Sequence, residues 1–143
     1  MKVWLCPVKP RNWCIIKDKR VFGVPRQAHK KISEVNPGDI LAFYLLKPGG
    51  GIVALCNVTS EVFESHSDVW GSDQYPLRVK LEFLPDFSML ERDPIPLALL
   101  FGDTDNTSEV VVEPYLRNVW LAGISKEQYK KLKNLFRSRS QGF

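Results

Sequence analysis

Three aromatic residues occupy positions from which they could contact a flat ligand. Phe22 precedes Gly23, and Trp70 and Tyr75 lie in the hydrophilic stretch of residues 64–75, where a core residue would be unusual. A base outside a duplex exposes two flat faces and a hydrogen-bonding edge, so its pocket needs aromatic walls and a few donors and acceptors. Stacking contributes roughly 1–3 kcal/mol per base. The three aromatics therefore predict a base pocket, with core or rim packing as the alternative.

Two further residues fit such a pocket. Gly23 has no side chain, so a ligand can approach the backbone there. Asn12 has an amide that suits a base edge, and it is also a plausible N-cap for a helix that starts at Trp13. The other tryptophans lie in apolar patterns and are predicted to be core residues: Trp4, Trp13 and Trp120.

The positive charge is distributed unevenly along the chain. Residues 1–47 contain ten Lys and Arg against three Asp and Glu, residues 48–115 three against twelve, and residues 116–143 seven against one. If the two basic ends form one face, an anionic partner such as nucleic acid is expected, whereas the alternative is ordinary solvated surface charge. Arg78 lies on the outward side of a predicted strand and is one candidate phosphate contact. The others are Lys9, Arg11, Arg26, His29, Lys30 and Lys31.

Catalytic and metal-binding motifs are weak in this sequence. Cys14 and His66 form a conceivable thiol pair, but Cys14 is also explained as a small buried hydrophobe on an apolar helix. The three cysteines are scattered without a CxxC pair, which favours a reducing cytoplasm over a disulfide framework or a zinc site. We therefore expect no metal and no cofactor.

Length and composition predict one globular domain, residues 1–143. The chain has 143 residues, of which 44% are hydrophobic and 25% charged. Its longest apolar stretches, residues 40–46 and 95–101, are much shorter than the roughly 20 residues that span a bilayer. No signal peptide is recognised, so a cytoplasmic location without membrane contact is expected.

The order of the elements predicts an α+β domain. Residues 77–83 alternate at period two, and Ser125 with Gln128 forms a capping box before a closing helix. Turns rich in glycine and proline separate the elements. We expect a curled sheet or pseudo-barrel of about five to six strands with three short flanking helices. The predicted strands are residues 3–8, 40–46, 51–62 and 77–83, with an extended segment at 21–25. Of the two other predicted helices, the first follows the cap residue Asn12 and the second covers residues 26–35.

Four short motifs, in order, resemble those of the EVE domain family, a branch of the PUA-like fold. They are Asn12 with Trp13, residues 21–25 (VFGVP), residues 35–39 (VNPGD) and residues 75–80 (YPLRVK). The family typically shows NW, WGVP, PGD and YPxRV, so this chain departs from it by phenylalanine in the second motif. The resemblance covers residues 3 to about 83 and implies a PUA-like fold.

A more distant resemblance links the chain to YTH domains, which share that fold and read 6-methyladenine in an aromatic cage. Residues 69–75 (VWGSDQY) are similar to the family pattern V-W-x-x-D-x-W, with tyrosine in the last place. The resemblance implies a cage of Phe22, Trp70 and Tyr75. The resemblance also implies that Asn12 takes the position of a family residue that forms a hydrogen bond to the base edge. Arg78 takes the position of a family arginine that contacts a phosphate.

The sequence therefore predicts a non-enzymatic nucleic-acid-binding module that reads a modified base, such as a methylated one, in RNA or DNA. Asn12 and Gly23 would meet the base edge within the aromatic cage, while the basic residues would hold phosphates. Two other functions remain open: a small enzyme acting on a nucleotide-like substrate through Cys14 and His66, and a regulatory subunit whose basic face binds another protein.

Overall fold

The computed structural model describes residues 1–46, 50–70, 74–84, 91–97, 99 and 119–141. Of residues 95–101, whose structure the sequence leaves open, residues 98, 100 and 101 lie outside this part of the chain. The described elements are, in order, β1 (Val3–Val8), α1 (Pro10–Lys19), β2 (Val21–Val24), a 3₁₀ turn (Arg26–Ala28), α2 (His29–Ile32), β3 (Ile40–Leu45), β4 (Gly51–Val58), β5 (Phe63–Glu64), β6 (Leu77–Phe83), β7 (Ala122–Ile124) and α3 (Lys126–Gln141).

The described strands form one mixed sheet in the order β2-β6-β4-β3-β1-β7, and β5 pairs with β6. The β1 and β3 strands are parallel, whereas the other described pairs are antiparallel. A parallel pair needs a long crossover connection, and α1, β2 and α2 supply it. The predicted α+β class is confirmed. The sheet has seven described strands, more than the five to six expected. The additional strands β5 and β7 were not predicted because, with two and three residues, they are too short to produce a hydropathy pattern.

The alternation of side chains along β1 and β3 creates two apolar layers. Trp4, Cys6 and Val8 face a core that α1 and α2 cover, chiefly through Trp13 and Ile32. Val3 and Leu5 face the opposite side of the sheet, where α3 packs through Leu132 and Phe136. Trp4 and Trp13 are thus core residues, as predicted.

The positions of the helices decide how the charge is arranged. The basic helices α1 and α2 lie on one face of the sheet, and the basic helix α3 lies on the other. The hypothesis that the two basic ends form one face is therefore wrong. Among the described helices, none combines the length and the apolar character needed to cross a bilayer.

Two helix predictions need correction. Asn12 is not the N-cap, because α1 begins at Pro10 with Lys9 as its cap residue and no capping side chain. Proline favours the first turn, where its fixed φ fits and its missing N–H would be unpaired. The helix predicted over residues 26–35 is a 3₁₀ turn followed by the single α-turn of α2. The capping box before α3 is confirmed, since Ser125 and Gln128 bond each other's backbone N–H groups reciprocally at 3.1 and 2.9 Å.

A buried carboxylate fixes the entry into β3. Asp39 is 4% exposed and accepts hydrogen bonds from the Lys2 N–H at 2.9 Å, the Asn36 N–H at 3.0 Å and the Trp4 indole N–H at 3.2 Å. Gly38 precedes it with φ of 93°, a conformation that a side chain would strain. Burial alone would raise the pKa of Asp39, but these three donors outweigh it and hold the pKa below its ordinary value.

We expect Asp39→Asn to lower the free energy of unfolding by about 1–3 kcal/mol near neutral pH, because it replaces one of the two acceptor oxygens with an NH2 donor that faces the N–H donors. A carboxylate with a depressed pKa stabilises fully above the unfolded pKa of roughly 3.9 and loses this effect as pH falls through the folded pKa. The gap between variant and parent should therefore narrow below about pH 4 in urea titrations.

The matched control is Asp18→Asn, which changes a carboxylate with a side chain 73% exposed. It should shift stability by less than about 0.5 kcal/mol at any pH. A difference in free energy of unfolding between Asp39→Asn and the parent that stays constant down to acid pH would contradict the role of Asp39 as an ionised acceptor.

Candidate functional site

A cavity of about 120 Å³ opens beside β2 and the end of β1. It is comparable in volume with the cavity of roughly 150 Å³ that admits benzene, so it fits one flat ring system. All five predicted base-binding residues line it. The described lining comprises Pro7, Val8, Lys9, Asn12, Ile16, Phe22, Gly23, Leu46, Trp70, Tyr75, Val119 and Trp120.

Three aromatic rings form a connected wall of this cavity. The ring centroids of Trp70 and Tyr75 are 5.4 Å apart at an interplanar angle of 71°, and those of Tyr75 and Trp120 are 5.8 Å apart at 65°. Both pairs have the edge-to-face geometry that the ring quadrupoles favour. Trp120 is half-buried and packs against the core, in line with its prediction, and it also lines the cavity. Its apolar sequence context gave no sign of this role.

The cavity floor is tightly packed. Phe22 is 2% exposed and packs edge-to-face on Phe43 at 5.7 Å, so it contributes a fixed apolar base rather than a free wall. A Cβ atom at Gly23 would lie 2.8 Å from Cη2 of Trp70 and 3.0 Å from Cβ of Tyr75. Glycine is therefore required here by the close approach of the Trp70 ring and of the Tyr75 Cβ and carbonyl oxygen to the β2 backbone.

Two polar groups and one cation line the cavity. The amide of Asn12 and the hydroxyl of Tyr75 have no hydrogen-bond partner among the described residues, and both residues are half-exposed. Lys9 also lines the cavity and is exposed. Asn12, in the first turn of α1, thus has an amide with two donors and an acceptor available to a ligand.

Arg78 does not point outward as predicted, since it is 2% exposed. Its guanidinium donates from Nε to the Tyr75 carbonyl at 2.9 Å, from Nη1 to Oγ of Ser67 at 2.7 Å and of Ser65 at 3.2 Å, and from Nη2 to the Ser67 carbonyl at 2.8 Å. It also lies 5.0 Å from the ring centroid of Trp70. Arg78 therefore holds the segment that carries the aromatic wall, a role that sequence reasoning missed.

Of the predicted phosphate contacts, Lys9 alone is among the described residues that line the cavity. Arg11 and Lys30 are exposed, and Arg26 is exposed but forms an ion pair with Glu64 at 2.8 Å. That hydrogen bond, with a second one from His66, lowers the pKa of Glu64 to about 2. Lys31 lies 5.8 Å from the ring centroid of Trp4, near the end of β1 opposite to the cavity.

The candidate catalytic pair is not part of the cavity. Cys14 is exposed on α1, so the expectation of a buried thiol is wrong, and His66 contacts Glu64 at 3.0 Å in the segment after β5. Burial raises the pKa of Cys6 and of Cys56, which disfavours a reactive thiolate at either residue. Within the described part of the chain, no group of three His, Cys, Asp or Glu side chains is arranged to hold a metal ion.

The family profile of the EVE domain matches residues 2–134. The chain belongs to the EVE domain family. It is 35% identical over 94 residues to a UPF0310 protein of Pyrococcus abyssi, a match that covers 57% of this chain and 65% of the relative. A UPF0310 protein of Pyrococcus horikoshii is 35% identical over 97 residues, with 57% and 66% covered. The match therefore spans just under two thirds of these relatives.

Solved structures of other proteins share the fold of this EVE domain. A Rhodopseudomonas palustris protein superposes with a TM-score of 0.60 at 16% identity, covering 91% of this chain and 89% of that chain. The YTH domain of a Zygosaccharomyces rouxii protein, solved in complex with N6-methyladenosine RNA, superposes with a TM-score of 0.62 at 15% identity, covering 94% and 87%. The expected PUA-like fold and the fold-level likeness to YTH domains are confirmed.

We expect Gly23→Ala to destabilise this EVE domain by about 1–3 kcal/mol, because the new methyl group forces Trp70 and Tyr75 away from β2. Chemical denaturation measures the loss. The matched control is Gly123→Ala in β7, where a Cβ atom meets no other atom within 4 Å. The control should stay within about 0.5 kcal/mol of the parent. Equal effects of the two substitutions would contradict the close approach at Gly23.

We expect Arg78→Lys to loosen residues 65–70, because a lysine ammonium cannot reproduce the planar donor fork. The loss of hydrogen bonds should reduce stability by about 1–3 kcal/mol. Hydrogen exchange of the amides of Ser67 and Val69 should accelerate more than that of β1 amides. The control is Arg11→Lys, an exposed arginine on α1, which should leave these amides unchanged. Uniform acceleration over the whole chain would contradict a local role for Arg78.

Proposed function

We propose that this EVE domain is a non-enzymatic reader that holds one modified base of a nucleic-acid strand in the aromatic cavity. The observation that carries the proposal is the convergence of Asn12, Phe22, Gly23, Trp70 and Tyr75 on that one cavity. Its volume of about 120 Å³ suits a single flat heterocycle rather than an extended ligand. An excluded base needs such a pocket, because it must be stacked and its edge must be bonded.

Each lining group has a distinct role in the proposed complex. Trp70, Tyr75 and Trp120 stack on the base or enclose its substituent, and Phe22 sets the depth of the cavity. The Asn12 amide bonds the base edge, and the Gly23 backbone lies against the base without an intervening side chain. Lys9, exposed and lining the same cavity, neutralises a phosphate next to the bound nucleotide.

A methylated base is the first ligand to test. The Zygosaccharomyces rouxii YTH domain and that of Pho92, both similar in fold, were solved with N6-methyladenosine ligands. An apolar methyl group gains from burial against aromatic rings, about 0.8 kcal/mol for one carbon. A cavity walled by three aromatics therefore favours a methylated base over its unmodified form. The enzyme alternative has less support, because neither Cys14 nor His66 is among the described residues of the cavity.

We expect the domain to bind a short single-stranded RNA with N6-methyladenosine more tightly than the unmodified RNA. Tyr75→Ala should reduce affinity for the methylated RNA about tenfold or more, since it removes a stacking ring. Fluorescence anisotropy with labelled RNA gives the dissociation constants for the methylated and the unmodified RNA. The same measurement on DNA with 5-methylcytosine tests the other modification class.

The matched control is Tyr129→Ala, which removes a half-buried tyrosine from α3, on the other face of the sheet. It should bind both RNAs like the parent. Equal affinity of the parent for modified and unmodified strands of every type tested would refute the reader. Loss of binding in both variants would attribute the effect of Tyr75→Ala to stability instead of stacking.

A further inference from the structure

A basic groove of about 460 Å³ is lined by the segment that also carries Trp70 of the aromatic wall. Four cations line it: Lys19, Arg20 and Lys80 are exposed, and Arg78 is buried. The hydroxyls of Ser65, Ser67 and Thr59 complete its polar surface. Among the described lining residues none is acidic. This combination of ammonium, guanidinium and hydroxyl donors suits phosphate oxygens.

The sheet register brings the cations together from two distant parts of the chain. Val21 of β2 pairs with Lys80 of β6, and Lys19 and Arg20 directly precede β2. Arg20 ends α1 with φ of 55°, and its carbonyl accepts the Leu81 N–H at 3.0 Å, so the helix end is fixed to β6. Charges that are separated by about sixty positions in sequence therefore share one surface.

The groove and the cavity are lined by the same segment, residues 65–70. Ser65, Ser67 and Val69 line the groove, and Trp70, next in the same segment, lines the cavity. Arg78 links the two, because it lines the groove and lies 5.0 Å from the ring centroid of Trp70. Consecutive residues lie about 3.8 Å apart, so neighbouring nucleotides of one strand can reach both sites.

The groove cations are accessible to a ligand. Lys19 and Lys80 are exposed, and the contact of Lys19 with Asp18 is long, 3.5 Å, between side chains 57% and 73% exposed. Exposed pairs of this kind contribute little energy, so a phosphate can replace Asp18. Glu64 of β5 is bonded to Arg26 at 2.8 Å and does not line the groove.

We propose that this groove binds the sugar-phosphate backbone of the same strand whose modified base occupies the cavity; the proposal rests on the function proposed above. Lys19 and Lys80 each neutralise one phosphate, and Arg78 sets the shape of the groove floor. The groove adds affinity that does not depend on the base, because phosphate contacts carry no sequence information. The cavity alone supplies the preference for the modification.

The test compares Lys19→Gln/Lys80→Gln with Lys126→Gln/Lys130→Gln, which removes two exposed lysines from α3 on the opposite face of the sheet. The probes are the single-stranded RNA with N6-methyladenosine and its unmodified form, titrated at several salt concentrations. The groove variant should weaken both RNAs by the same factor. It should also reduce the slope of log K against log salt by about 1.4, as expected for two lost contacts to a single strand. The α3 variant should match the parent.

The outcomes separate this proposal from the proposed function. A groove variant that keeps the affinity and the salt slope of the parent overturns the groove, even where the preference for the methylated RNA persists. An equal loss in the α3 variant also overturns it, because binding then follows net charge alone. A parent without base preference, combined with a groove variant that loses affinity and slope, supports the groove and refutes the reader.

Discussion

The arrangement of the candidate site depends on the burial of one guanidinium. A charge of this size is costly to remove from water unless its donors are bonded, and Arg78 at 2% exposure is almost completely removed from it. The oxygens of Ser65, Ser67 and Tyr75 accept hydrogen bonds from it, so residues 65–67 and Tyr75 are held around the guanidinium. The ring centroid of Trp70 lies 5.0 Å from the same group. The aromatic wall is therefore positioned by the need to solvate a buried cation.

The sheet imposes the second constraint. Its alternating side chains form two apolar layers, which α1 and α2 cover on one face and α3 covers on the other. The cavity therefore forms at the end of β1, where the chain turns into α1, and beside the glycine of β2. Glycine is needed there because the Trp70 ring and the Cβ and carbonyl oxygen of Tyr75 occupy the space that a side chain would take. The same sheet separates the basic helix α3 from the cavity, so only part of the positive charge is available to a ligand bound there.

The sequence patterns predicted most strands and the five base-binding residues that line the cavity. They missed the roles of Arg78 and Trp120, and both omissions have physical causes. The strong alternation of residues 77–83 predicted β6, yet the burial of Arg78 was missed because its partners are hydroxyls and carbonyls of the preceding irregular segment, which has no periodic pattern. Trp120 lies in an apolar stretch like a core residue, and only tertiary packing brings it against Tyr75 at 5.8 Å. Short, local motifs identified the cavity residues, whereas the layer to which each helix belongs depends on the side-chain alternation of strands far away in sequence.

The aromatic and the polar groups of the cavity contribute differently to affinity and to specificity. Stacking on aromatic rings tolerates every base, because each base has a π-face. The wall of Trp70, Tyr75 and Trp120 therefore supplies affinity for any flat ring and little discrimination. A polar edge group discriminates more strongly, since a mismatched ligand leaves buried donors or acceptors unpaired. In the proposed reader, the identity of the base is thus set by Asn12 and by the volume above Phe22, and the aromatic wall adds the preference for an apolar substituent.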